Sequence, residues 1–316
     1  MKDEPPRRRR GDTETRGGKP KPAPDVPVSP RPRVPASPGS LPHPSSFILH
    51  PSKSLGQNFL VDRGVADRIV NALGPRSDET IIEIGPGKGA LTTPLLEQAG
   101  HVVAVEFDRN LGPALVEKFS GRDNFSLVQA DALTTDFCAA ILPATQARVV
   151  ANLPYNISTA ILQRLIDQRS CITEMVLMLQ REVVDRITAP ADSTERGYLS
   201  VIVEAYCEAE KLFDVGPGAF RPVPKVWSSV VRLRVRPHEV QVDEQLFARI
   251  VSAGFAQRRK TILNNLRHAP AAVQELIKPR GGASIILCEA NIQPQRRAET
   301  LTIAEWFRLT GLLQKL

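Results

Sequence analysis

Cysteine and aromatic residues are scarce in this 316-residue chain, with four Cys in all and only 5% Phe, Trp and Tyr. Long apolar runs are missing too: none approaches the roughly 18 residues that a membrane span requires, so a soluble protein without membrane association is expected. The cysteines, Cys138, Cys171, Cys207 and Cys288, form no C-x-x-C pair and have no histidine at ligand spacing. Neither a zinc site nor a disulfide scaffold follows, and no metal is expected. Buried free thiols in a reducing, cytoplasmic compartment are the expectation.

Positive charge is in excess, but unevenly. The formal net charge is +7, with ten Lys and Arg against five Asp and Glu in residues 1–52 and eleven against six in residues 243–316, which leaves −3 for residues 53–242. Basic ends around an acidic body suit polyanion contacts made beside a separate active centre. Solvated surface charge would give the same totals.

Residues 1–52 hold 13 of the 27 prolines and the run Arg7, Arg8, Arg9, Arg10. Such a segment cannot bury enough apolar surface to offset chain entropy, so a disordered tail is expected. It lacks the apolar stretch of a secretory signal, and Asp3, Glu4, Asp12 and Glu14 argue against an organellar transit peptide. From Lys53 the pattern becomes globular. Val65, Ile69, Val70 and Leu73 mark an amphipathic helix ended by Gly74-Pro75. Apolar runs at 80–84, 102–107, 126–128, 149–151 and 175–179 then read as buried parallel strands, alternating with helix-length stretches at 91–99, 111–119 and 159–168. Runs at 208–213 and 226–235 are expected as antiparallel edge strands. The pattern predicts an α/β fold, a Rossmann-like doubly wound sheet over 53–238, followed by a small all-helical domain over 239–316. The last helix opens on the capping-box pattern Thr302-x-x-Glu305 and presents Trp306, Leu309 and Leu313 on one face.

Three features at strand ends carry chemistry. Glu83-Ile84-Gly85-Pro86-Gly87-Lys88-Gly89 stands at a strand end before a helix, and its glycines let the backbone turn sharply and approach a nucleotide-like ligand at a helix N-terminus. Gly89 follows Gly87 by two positions rather than three, and no Ser or Thr follows Lys88, so neither the dinucleotide fingerprint nor a Walker loop fits. Glu106, 21 residues after Gly85, can accept from both hydroxyls of a ribose, and Asp131 from an adenine amino group. Asn152-Leu153-Pro154-Tyr155 follows the fourth strand. An adenine exocyclic amine is a poor nucleophile, its lone pair delocalised into the ring. An Asn oxygen and a backbone carbonyl can orient it, while Pro fixes the turn and Tyr offers a stacking face.

These motifs, with Gln57-Asn58-Phe59-Leu60 upstream and Phe220-Arg221-Pro222-Val223-Pro224-Lys225-Val226 and Gln257-Arg258-Arg259-Lys260-Thr261 downstream, resemble the ribosomal RNA small-subunit adenine dimethyltransferase family. The resemblance runs from about Ser52 to the C-terminus. It implies S-adenosylmethionine as cofactor, and dimethylation of two adjacent adenosines near the 3′ end of small-subunit rRNA in a 30S particle or its precursor, by a monomer. It further implies that Asn58, Leu60, Gly85, Gly87, Glu106, Asp131 and Asn152 border the cofactor. Asn152, Leu153, Pro154 and Tyr155 would orient the target amine, and Phe220 would pack against the flipped base. Arg258, Arg259 and Lys260, expected on a helix, are the candidate RNA contacts. Two departures stand out: Trp227 where the family usually has Asp, and Arg196 where a Tyr commonly precedes the glycine. Both bear on substrate positioning. A large-subunit rRNA methyltransferase of the macrolide-resistance type and a ribosome-assembly factor with little catalysis are the alternatives. A nicotinamide oxidoreductase is disfavoured by the glycine spacing.

Overall fold

The computed structural model describes residues 57–236 and 242–314. The tail expected over residues 1–52 lies outside them. After the short strand β1 (Phe59–Leu60) comes helix α1 (Arg63–Leu73). The Asp62 carboxylate starts it by accepting from Val65 N at 3.1 Å, and Gly74, at φ +61°, ends it in the left-handed conformation. Its buried stripe is Ala66, Ile69, Val70 and Leu73.

Strands and helices then alternate through β2 (Thr80–Ile84), α2 (Thr92–Leu96), β3 (His101–Glu106), α3 (Gly112–Lys118), β4 (Phe125–Gln129), α4 (Phe137–Ala140), β5 (Ala147–Asn152), α5 (Ser158–Asp167) and β6 (Ile172–Gln180). Next come α6 (Arg181–Ile187), α7 (Tyr198–Tyr206), β7 (Cys207–Val215), β8 (Phe220–Arg221) and β9 (Ser228–Val235). Seven strands make one sheet in the order β4-β3-β2-β5-β6-β9-β7, and β2 to β6 pair in parallel. Of the two strands expected at an antiparallel edge, only β7 lies at the edge and only β9 is reversed, pairing antiparallel with both β6 and β7. The apolar content of β9 accounts for its inner place: Val230, Val231 and Leu233 are all fully buried, as a strand flanked on both sides requires. Helix α7 gave no helical signal because Leu199, Val201, Ile202, Val203, Ala205 and Tyr206 bury it on nearly every side.

One apolar cluster joins a face of this sheet to helices α8 (Glu244–Gly254), α9 (Ile262–Arg267), α10 (Ala271–Ile277), α11 (Ala283–Glu289) and α12 (Ile303–Gln314). Leu199, Ile202, Phe247, Ile250 and Trp306 belong to it together. The expected capping box starts α12, with Thr302 N donating to Glu305 Oε2 at 2.8 Å and Glu305 N to Thr302 Oγ1 at 3.3 Å. A second cluster packs α1, α2 and α3 on the opposite face. The architecture is the expected α/β, doubly wound sheet followed by C-terminal helices.

Two expectations change. Arg196, a departure from the family pattern expected to bear on substrate positioning, is 1% exposed. It pairs with Glu204 at 2.5 Å and donates to Ala189 O at 3.2 Å and Leu301 O at 3.5 Å, so it ties the loop after α6 to the entry of α12. Cys138 and Cys171, expected as free thiols, are disulfide-bonded. Tertiary contacts bring them together: Gln168, just before Cys171, accepts from Phe137 N at 2.6 Å and donates to Thr135 O at 2.9 Å. Cys207 is free and buried, its thiol pushed up to about 12 by burial, while Cys288 is free and exposed.

Candidate cofactor and adenosine site

The carboxyl ends of β2, β3, β4 and β5 converge on two adjoining cavities. The turn after β2 holds Gly85 at φ +65° and Gly87 at φ +59°. A side chain at Gly87 would also crowd the Phe59 ring, 3.0 Å from the place of a Cβ. Glu106 closes β3 and clasps this turn: Oε2 accepts from Gly87 N at 3.1 Å and Oε1 from Asp108 N at 2.8 Å. Burial pushes its carboxyl above the usual range, opposed by those two amide bonds. Gln57 Nε2 donates to Asp108 Oδ2 at 3.1 Å, fastening the segment before β1 to the same corner.

The larger cavity, about 240 Å³, has apolar walls from Ile84, Val105, Ala132, Leu133, Ile157 and Ile161. Asp131 stands on its border, with Oδ1 accepting from Leu133 N at 2.9 Å. The smaller, about 70 Å³, is lined by Asn58, Phe59, Gly87, Leu111, Asn152, Leu153 and Tyr155. Gln57, Gly85, Glu106 and Pro154 line both. Asn152 Nδ2 donates to Asn58 O at 3.1 Å, which fixes the amide and leaves Oδ1 as its acceptor for a ligand. Tyr155 Oη lies 2.7 Å from Ser228 Oγ, and burial raises the phenol, keeping it neutral.

Most of the expected residues therefore meet at one place: Asn58, Gly85, Gly87, Glu106, Asp131, Asn152, Leu153, Pro154 and Tyr155. Leu60 and Phe220 do not line either cavity. They pair with each other in the antiparallel β1–β8 ladder, at 6% and 0% exposure, and belong with Phe59 to the apolar cluster on that side of the sheet. Arg258, Arg259 and Lys260 are exposed but lie in the turn between α8 and α9, not on a helix. Arg258 donates to Thr194 O, which commits it to the protein. Ser228 was not anticipated, and Glu83, which opens the glycine motif, was given no role of its own. Glu83, fully buried within β2, carries an Oε2 with no hydrogen-bond partner, and burial first of all pushes its carboxyl up to about 7.

The site suits S-adenosylmethionine. An apolar slot with an acceptor at its edge fits adenine, Glu106 keeps lone pairs beyond its two amide bonds for a ribose, and the open turn at Gly85 lets the methionine end approach backbone. The sheet order, the glycine turn and the amine acceptors beside it define the class of S-adenosylmethionine-dependent methyltransferases. Within that class, the Ribosomal RNA adenine dimethylase family matches residues 49–309, and the chain belongs to that family. A Ribosomal RNA small subunit methyltransferase A of Hahella chejuensis is 44% identical over 81% of this chain and 90% of its own. That of Xanthomonas euvesicatoria is 45% identical over 85% and 98%. Among solved structures, a dimethyladenosine transferase from Plasmodium falciparum shares the fold, with a TM-score of 0.69 at 23% identity over 79% of this chain and 95% of that one. The 23S rRNA methyltransferase ErmE superposes with a TM-score of 0.60 at 27% identity, over 82% and 100%.

Proposed function

We propose that this enzyme transfers four methyl groups to the N6 amines of two adjacent adenosines near the 3′ end of small-subunit rRNA, within a 30S particle or precursor. The observation that carries the reading is the Asn152 amide, locked by Asn58 O beside Glu106, with Oδ1 left to accept from an amine. Identity of 44–45% to small-subunit methyltransferases, against 27% to the 23S enzyme, favours the small-subunit substrate over the macrolide-resistance reading.

In this proposal Glu106 holds the ribose and Asp131 the adenine amino group of S-adenosylmethionine, with Asn58, Gly85 and Gly87 along its length. When bound, the cofactor supplies an electrophilic methyl on a sulfonium. Asn152 Oδ1 and the Leu153 carbonyl accept from the target amine and direct its lone pair. Pro154 fixes the turn, and the Tyr155 ring, anchored through Ser228, supports the base. No strong base is required, because the methylated nitrogen sheds its proton readily afterwards; alignment sets the rate. Residues 53–238 act as the methyltransferase domain, and 239–316 supply RNA contacts, of which Arg259 and Lys260 remain candidates. In this reading the enzyme acts as a monomer in the cytoplasm, where a ribosomal substrate would be met.

Labelled S-adenosylmethionine, undermethylated 30S particles and mapping of the modified nucleotides test this. Two adjacent dimethyladenosines near the 3′ end are expected. Label in large-subunit rRNA, or binding without transfer, would overturn it.

A further inference from the structure

Among the described residues, large apolar side chains stand exposed at few places, and three of them, Val223, Val226 and Trp227, share the segment that joins β8 to β9. Trp227 is 49% exposed. An indole carries more apolar surface than almost any side chain, and one left half in water with two exposed valines of the same segment marks a candidate binding surface. Arg181 N donates to Trp227 O at 2.9 Å, and the ring lies 3.7 Å from where Gly216 would carry a Cβ. The Arg181 guanidinium stands 5.9 Å from the ring centroid, and Lys225 is exposed in the same segment, whereas Arg221, at the end of β8, donates to Gly218 O and Phe220 O. Asp214, whose charge Arg181 also feels, is engaged by Lys211 at 2.9 Å and Ser229 Oγ at 2.5 Å. The next residue, Ser228, holds the hydroxyl of Tyr155, which lines the smaller cavity.

We infer that Trp227 is a stacking platform for an unpaired nucleotide adjacent to the target adenosine, with Arg181 and Lys225 meeting its phosphates. An aromatic face among cations is the pattern that holds single-stranded nucleic acid, and an adenosine drawn out of its stack leaves a neighbour without a partner. Trp227 is then a determinant of RNA affinity, separate from the groups that align the amine.

Fluorescence isolates the residue, because the only other tryptophan of the chain, Trp306, is fully buried. The full chain titrated with a short RNA hairpin, carrying two adjacent adenosines in its single-stranded loop, should show saturable quenching that W227F abolishes. On undermethylated 30S particles, Trp227→Ala should raise KM at least about fivefold with kcat changed less than twofold and cofactor affinity unchanged, and Trp227→Phe should recover most of the loss. Absence of RNA-dependent quenching would overturn the proposal. A wild-type KM in Trp227→Ala, or a fall in kcat alone, would do so too, the latter assigning Trp227 to the support of Tyr155 through Ser228. Should Trp227→Ala fail to fold, the quenching and the KM of Trp227→Phe decide.

Discussion

Asn152 Nδ2 donates to the main-chain carbonyl of Asn58 at 3.1 Å, tying the end of β5 to a segment 94 residues earlier. The bond selects one of two amide orientations and so decides which atom is left to receive an amine. Asn152→Ala removes that acceptor, and Asn152→Asp keeps an oxygen but sets a carboxylate against the Asn58 carbonyl. Both should lower single-turnover methyl transfer by about a hundredfold, the cost of a misplaced reacting group, while the melting temperature changes little. A wild-type rate in either variant would show that another residue positions the base.

Glu106→Ala should weaken S-adenosylmethionine binding by about 1.5–3 kcal/mol, the range for a hydrogen bond to a charged group. The variant also frees Gly87 N and Asp108 N, so Glu106→Gln, which retains one acceptor, should fall between. Calorimetric titration of the folded variants measures both.

Glu83 makes stability depend on pH. Its carboxyl, pushed up to about 7 by burial, binds its proton more tightly in the folded protein than in the unfolded chain, where the ordinary value is 4.5. The stabilisation is therefore complete below about pH 4.5 and is lost as pH rises through about 7, with a total on the order of 3 kcal/mol. Glu83→Gln stays neutral throughout. Its unfolding free energy should gain on the wild type by roughly that amount between pH 4.5 and 8, as measured by urea titration at the two pH values.

Arg196→Ala should destabilise the protein by about 3 kcal/mol, because it leaves Glu204, Ala189 O and Leu301 O without their donor. Arg196→Lys should not restore stability, since one ammonium cannot span partners arranged for a guanidinium. Denaturant unfolding reports the loss, and cofactor affinity in the folded fraction should be unchanged.

Neutralising Arg259 and Lys260 together should flatten the slope of log affinity for 30S particles against log salt by about 1.4–1.8. Arg258→Ala should leave the slope unchanged, since its guanidinium is committed to Thr194 O. Binding measured across several salt concentrations separates the two outcomes.

Local patterns were enough to read much of this enzyme. The 2- and 3.6-residue periodicities, Gly74 after α1, Thr302 and Glu305 before α12, and acids at two strand ends beside a glycine turn each depend on neighbours in sequence. They delivered the α/β sheet, the helical C-terminus and most residues of the cofactor cavity. What depends on distant segments was not legible. The place of β9 inside the sheet is settled by pairing with β6 and β7. The Cys138–Cys171 bond needs the packing of α4 against the approach to β6. Arg196 became a buried tie only because Leu301 returns beside it, 105 residues later. Leu60 and Phe220, adjacent to the right motifs, turn into the core because a two-residue antiparallel ladder aims them there. Side-chain chemistry and local conformation are properties of short stretches of chain, whereas burial, ladder register and the direction in which a side chain points are set by what packs against it, and that is decided only when the whole chain folds.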